Sequence, residues 1–186
     1  MTSRLRIDLA ARYLLAGGVI AYPTEAVYGI GCIPDDADAL QRIIRLKRRD
    51  ASKGLIVVAA TVEQASRLAL LPQGDVGRAV VASWPGPVTW VLPARDYVPS
   101  ILTGGRSTIA VRVSAHPVVQ QLCLRTDSPL VSTSANYSGR RPARTALAVR
   151  RQFGNELDYV LAGSLGEQKS PTEIRDAATG RVLRAS

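Results

Sequence analysis

Apolar runs of strand type, each four to six residues long, alternate along this chain with segments of helical period. Asp8 is placed to cap a helix through Ala11, Leu14 and Leu15, and the pair Gly17 and Gly18 ends it before a strand at 19–22. A second helix is predicted from Asp36 or Asp38 to Arg48, followed by a near-continuous apolar strand at 55–59. Thr61 with Gln64 reads as a capping box for a third helix. Further strands are predicted at 88–92, 108–113 and 130–133, with a helix at 117–124 between the last two. Thr145 is placed to cap a helix to about Gln152, and short strands follow at 159–161, 172–175 and 181–183. No period of 20–50 residues repeats and no Gly/Ser-rich or Pro-rich linker divides the chain, which excludes repeat arrays and tethered modules. At 186 residues, the expectation is one α/β domain over 1–186, a twisted mixed β-sheet with flanking helices.

Composition narrows the function. With 46% apolar and 21% charged residues the chain has material for a core and is not of the disordered class. The longest nearly uninterrupted apolar stretch, 13–22, is ten residues long and contains two glycines, whereas a membrane-spanning helix needs roughly 20 residues. Residues 1–10 alternate Arg4 and Arg6 with Leu5 and Ile7 and lack the apolar core of a signal peptide, so a cytoplasmic location is expected. Cys32, Cys123 and the single histidine, His116, are too few for a four-ligand zinc site and form no CxxC, so no metal site of that kind is expected. One disulfide stays arithmetically open, and two buried free thiols are the alternative a reducing compartment favours. Lys and Arg total 24 against 15 acids, a net charge of +9 that points to a polyanionic partner. Only Lys47, Lys53 and Lys169 are lysines; the rest are guanidinium forks suited to phosphate, although genomic base composition also enriches arginine.

Four segments carry candidate chemistry. On the second helix Leu40, Ile43 and Ile44 form the apolar face, and Lys47 falls near that direction rather than with Arg42, Arg45 and Arg49. Lys47 either snorkels at the helix C-terminus or joins Arg49 and Lys53 around phosphate oxygens. In 108–114, Ile109, Val111 and Val113 take one face and Thr108, Ala110, Arg112 and Ser114 the other. An arginine in a central strand needs an anion, either a protein carboxylate or a ligand carboxylate or phosphate. The run 132–139 packs hydroxyls, an amide and a glycine after an apolar strand; it offers donors to a ligand or satisfies its own backbone. The run 22–31 is a strand exit in which Pro23 fixes the turn and Gly29 and Gly31 allow close backbone approach. Neither 22–31 nor 103–108 fits GxGxxG or GxxxxGK[ST], and His116, just before Pro117, reads as a local structural residue rather than a base.

Six motifs in order, YPTEAVYGIG from Tyr22, KRR from Lys47 with KGLIVVA from Lys53, PGPVTWVL from Pro85, TIAVRVSAHP from Thr108, STSANYSG from Ser132 and PTEIRDAATG from Pro171, lie within a likeness that runs from Gly18 to Arg184. In these the chain resembles the YrdC/TsaC family of threonylcarbamoyl-AMP synthases. The resemblance implies a YrdC-like fold around a large basic concave cavity. It also implies an enzyme that joins L-threonine, bicarbonate and ATP into threonylcarbamoyl-adenylate and releases pyrophosphate. A separate transferase complex then modifies the adenosine next to the anticodon of tRNA, and tRNA itself is a further partner the basic charge would suit. The resemblance gives Lys47 and Arg49 as catalytic residues of a K-x-R element, and Ser134 with Asn136 as an S-x-N element. For ATP, carried by Mg2+, it gives Lys47, Arg49, Lys53, Thr108, Ser132, Asn136, Arg144 and Arg184; for threonine it gives Thr24, Arg112, Ser134 and Thr172. Arg112 is implied to grip the threonine carboxylate bidentately, with Thr24 and Ser134 orienting its amine and hydroxyl. Lys53 and Val58 stand where many longer relatives have Asn and His, so no contact made by those side chains is carried over. The few residues after Arg184 leave no room for the additional domain of the longer branch, and any closure of the site is expected to come from elsewhere.

Two rival readings stay open at this level. A nonenzymatic RNA-binding module would use the cavity and the run 140–151, which has five arginines and no acids, unless that run is a solvated face. An RNA grip, however, has no need of Thr24, Arg112, Ser134 and Asn136 together, so their joint presence favours the enzyme. The other is a retargeted carbamoyl-transfer relative, since folds outlast functions.

Overall fold

The computed structural model describes residues 2–168, 170 and 172–185. The first half runs α1 (Arg4–Leu15), β1 (Ile20–Pro23), β2 (Tyr28–Gly31), α2 (Ala37–Lys47), a 3-10 turn (Ala51–Lys53), β3 (Ile56–Ala59), α3 (Val62–Ser66), α4 (Gly74–Ala82) and β4 (Val88–Pro93). The second half runs α5 (Ser100–Thr103), β5 (Thr108–Val113), α6 (Pro117–Arg125), β6 (Leu130–Ser134), α7 (Ala146–Phe153), β7 (Tyr159–Val160), β8 (Glu173–Asp176) and β9 (Val182–Arg184). The nine strands form one mixed sheet in the order β7-β1-β2-β6-β3-β5-β4-β8-β9. β1 with β7, β3 with β5 and β4 with β8 are parallel, and the other neighbours are antiparallel.

Strand alternation sorts the core onto the two faces of this sheet. Val57 and Ala59 of β3, Ile109, Val111 and Val113 of β5 and Trp90 of β4 pack with Leu40 and Ile43 of α2 and Phe153 of α7. Val58 of β3, Ile20 and Tyr22 of β1 and Leu130 pack on the other face with Ile7 and Leu14 of α1 and Val119 and Leu122 of α6. On this second face Val58 stands directly opposite Arg112, and Ile56 opposite Ser132. The face is therefore apolar under α1 and α6 and turns polar within one residue pair of their edge.

The ends of the helices follow local chemistry. Asp36 caps α2 by accepting from the Ala39 N–H, and Thr145 caps α7 by accepting from the Ala148 N–H. Thr61 caps α3 through the Gln64 N–H, but Gln64 does not close the expected box. Its Oε1 accepts from the Ala60 N–H and its Nε2 donates to the Cys123 carbonyl, so it ties α3 to α6 instead. Asp8 is not a cap. α1 begins a turn earlier, after Ser3, and Asp8 inside it pairs with Arg125 of α6. Both cysteines are free and buried.

Residues 22–31 are more than a strand exit. They form a hairpin in which Ile20 pairs with Gly31 and Pro23 with Tyr28. Gly29 and Gly31 share a face with Tyr22, and a Cβ at Gly31 would lie 1.9 Å from the Val131 carbonyl oxygen and 2.9 Å from the Tyr22 hydroxyl. Glycine here makes room for a buried ring and a neighbouring strand. α4 had no sequence signal because its glycines look like breakers, yet Gly77 sits where a Cβ would come within 1.9 Å of the Pro72 carbonyl oxygen. Gly31→Ala is accordingly expected to destabilise the protein by about 1–3 kcal/mol or more, since backbone cannot yield as a side chain does. Urea unfolding of the variant beside the parent measures it.

Candidate active site

Where the second face turns polar, the sheet carries a concave hollow of about 170 Å3. The hairpin loop after β1 supplies Thr24, the turn after α2 supplies Arg49, and β5 supplies Arg112. β6 supplies Ser132 and Ser134, and the β8 and β9 region supplies Thr172 and Arg184. Seven of the predicted residues thus meet on one wall, beside the bare backbone of Gly29.

Arg112 is buried, 5% exposed, and the anion it needs is a protein carboxylate. Its Nη2 donates to Glu25 Oε2 at 3.0 Å and its Nη1 to the Thr172 hydroxyl at 2.7 Å. Glu25 is equally buried, and its Oε1 accepts from the Ser114 hydroxyl at 2.6 Å. Both terminal guanidinium nitrogens are therefore engaged by the protein, and Nε is a buried donor without a partner among the described residues. Sequence reasoning asked for an anion beside Arg112 but did not find Glu25. The signal was a lone acid inside the otherwise uncharged run 22–31.

Glu25 is held from behind by the chain after β7. The Gly166 N–H donates to the Thr24 carbonyl and the Gln168 N–H to the Glu25 carbonyl, at 3.0 and 3.2 Å. The Tyr28 hydroxyl both donates to the Gly163 carbonyl and accepts from the Gly163 N–H. His116 bonds the Ser164 carbonyl through Nε2, and burial lowers its pKa from the ordinary 6.5. It braces this segment across 48 residues of chain, a long-range structural role rather than the local one its place before Pro117 suggested.

Lys47 neither snorkels nor lines the hollow. It is 3% exposed, and its Nζ donates to the Ser134 carbonyl and, at 2.7 Å, to the Asn136 carbonyl. The lysine thereby fixes the turn that carries the S-x-N element, and the Ser134 hydroxyl donates to Asn136 Oδ1 at 2.6 Å. Arg48 ends α2 in the left-handed conformation at φ 49°, with its guanidinium 5.8 Å over the Tyr137 ring. That reversal turns Arg49 to the hollow, where its Nε and Nη2 donate to the Gly54 carbonyl at 3.2 and 3.1 Å. Arg184 donates twice to the Thr172 carbonyl. Burial lowers the pKa of Arg49 and of Arg184, the latter also through nearby Arg112.

The remaining predicted residues lie off this wall. Lys53 and Arg144 are exposed. Thr108 is on the Arg112 face, four residues back along β5, roughly 13 Å away at strand pitch. Asn136 faces its own turn, with Nδ2 donating to the Tyr137 and Arg140 carbonyls. The run 140–151 places Arg140, Arg141, Arg144, Arg150 and Arg151 in solvent.

A mixed α/β sheet with a cation-lined polar hollow at the edge of its helical cover defines a small-molecule site of the kind that grips carboxylate and phosphate. The family model Sua5_yciO_yrdC, described as "Telomere recombination", matches residues 12–186, and the chain belongs to that YrdC/Sua5 family. It is 51% identical over 179 residues to the threonylcarbamoyl-AMP synthase of Nitrosococcus oceani, covering 96% of this chain and 97% of that one. Among solved structures, P. abyssi Sua5 complexed with L-threonine superposes with a TM-score of 0.88 at 33% identity, over 94% of this chain. The chain spans about half, 51%, of that longer protein. E. coli YciO superposes with a TM-score of 0.84 at 26% identity, over 98% of this chain and 89% of that one. Among the described residues no helix is long and apolar enough to cross a membrane.

Two consequences are measurable. Breaking the buried pair by Arg112→Ala strands Glu25, so the variant is expected to lose about 3–5 kcal/mol of stability rather than keep the fold intact; thermal unfolding reads this. Burial, with Arg49 adding to it, brings the Lys47 ammonium down to about 8 from 10.5. Between those values the unfolded chain holds the proton that the folded one releases, so stability rises with pH there, by about 3 kcal/mol in total, and the deficit is full below pH 8. Parallel melts of the parent and Lys47→Met are expected to show the parent gaining on the variant as pH rises from 8 to 10.

Proposed function

We propose that the hollow forms threonylcarbamoyl-AMP from L-threonine, bicarbonate and ATP, with pyrophosphate as the other product. The chain is a threonylcarbamoyl-AMP synthase, an enzyme of the threonylcarbamoyladenosine modification of tRNA. The observation that carries the assignment of the hollow is the set of groups with unused capacity on one wall. Arg112 has a buried free Nε donor, and Thr24 and Ser134 have hydroxyl oxygens whose own protons are committed. Thr24 donates to the Val27 carbonyl at 2.7 Å, so its lone pairs, like those of Ser134, accept from N–H or O–H. A carboxylate on Arg112 and an amine and hydroxyl on these oxygens is the pattern of threonine.

The chemistry asks for position and charge more than for a proton relay. The amine takes up bicarbonate with loss of water to give a carbamate, and a carbamate oxygen attacks the α-phosphorus while pyrophosphate leaves. Negative charge builds on phosphate oxygens as it does so, and transfer of this kind depends on placement and electrostatic stabilisation. Arg49 and Arg184 flank the hollow and supply that charge, while Lys47 holds the Ser134–Asn136 turn in place from within. A nucleoside triphosphate is larger than the hollow, and Lys53, Asn136 and Arg144 are the side chains this reading assigns to the part of it that extends beyond. Magnesium arrives as the counter-ion of ATP, and the adenylate passes to a separate transferase that acts on tRNA. All of this belongs to one cytoplasmic domain.

Purified protein given ATP, magnesium, bicarbonate and L-threonine is expected to release pyrophosphate, with kcat/KM for threonine about 10^3-fold or more above valine, which lacks the hydroxyl these oxygens accept from. Pyrophosphate release that ignores threonine would refute the reading.

A further inference from the structure

Glu25 does not line the hollow, yet its carboxylate pairs with Arg112, which does. One carboxylate oxygen holds Arg112 Nη2 and the other the Ser114 hydroxyl, and the Ser114 oxygen in turn accepts from the His116 backbone N–H at 3.1 Å. Thr172 takes Nη1. A guanidinium is planar, so fixing both terminal nitrogens fixes the direction of the N–H on the third, Nε. That donor is buried and unpartnered among the described residues, which is costly unless something brought into the site accepts from it.

We infer that Glu25 is the positioning residue of the amino-acid subsite: it orients Arg112 so that Nε meets the incoming carboxylate, without touching substrate itself. This rests on the threonine reading of the hollow. Glu25 also cancels the guanidinium charge, so a second carboxylate is met by directed hydrogen bonds from Arg112 and by the charge of Arg184 beside it. Recognition is then set by angle, and a loosened Arg112 would lose the amino acid while the phosphate-facing Arg49, on another segment, is unaffected.

Steady-state pyrophosphate release by the full chain tests this with Glu25→Gln and Ser114→Ala. Gln keeps the shape but loses the charge that holds Nη2, and Ala removes the hydroxyl that anchors the other oxygen. Glu25→Gln is expected to raise the threonine KM at least tenfold while the ATP KM moves less than threefold. Ser114→Ala is expected to raise the threonine KM about three- to tenfold, again with ATP spared, and it carries the test alone if Glu25→Gln does not fold. A threonine KM within twofold of the parent in every folded variant, or threonine and ATP KM rising together, overturns the inference. Parent turnover that is independent of threonine instead overturns the functional reading beneath it, so the two failures are told apart.

Discussion

A guanidinium in the interior of a β-sheet has to be answered by an anion, and much of this molecule is arranged around how that is done. Arg112 stands opposite Val58 in the parallel β3–β5 pair, where the sheet is otherwise dry. Its counter-charge comes from a hairpin loop about ninety residues earlier in the chain, which must be drawn in and held. The hairpin packs on its glycines, the loop is bonded by the backbone of 163–168, and that backbone is braced by His116 and Tyr28. The ion pair is not in itself evidence of stability, since a well-packed apolar pair often does as well. Its value lies in specificity, because it converts a flexible arginine into a fixed donor.

The two lysine and arginine positions of the K-x-R element divide their labour in a way that charge counting conceals. Lys47 points into the protein and spends its donors on carbonyls of the Ser134–Asn136 turn. Arg49, two residues on, faces the hollow only because Arg48 adopts a left-handed backbone conformation between them. A helix that continued two more residues would carry Arg49 about 200° from Lys47 around its axis and away from Gly54.

The elements with strong periodicity were legible in the chain itself. The strand around Arg112, the helices capped by Asp36, Thr61 and Thr145, and the polar exit of β6 all follow from spacing and capping chemistry. What escaped notice was decided by tertiary contact. α4 contains Gly77, which close packing against Pro72 demands, and Gln64 uses its side chain on α6 rather than on its own helix end. For the site, the family resemblance pointed to Thr24, Arg112, Ser134 and Thr172, which share one wall. Glu25 did not announce itself, because a single acid in a hairpin loop has no period and its meaning depends on a strand far along the chain. Lys47 was legible as inward-facing, but its partners were not, since backbone carbonyls leave no mark in a sequence.

The order in which the strands enter the sheet has a temporal consequence. β7 adds in parallel to β1, β8 in parallel to β4, and β9 edges β8, so the strands between 159 and 184 join partners far earlier in the sequence. Those residues also bring Thr172, Arg184 and the backbone that steadies Glu25. Without 172–184 the sheet still holds Thr24, Arg112 and Ser134 but lacks Thr172 and Arg184, so completion of the hollow waits on pairing between strands distant in sequence, the slow kind of contact to form.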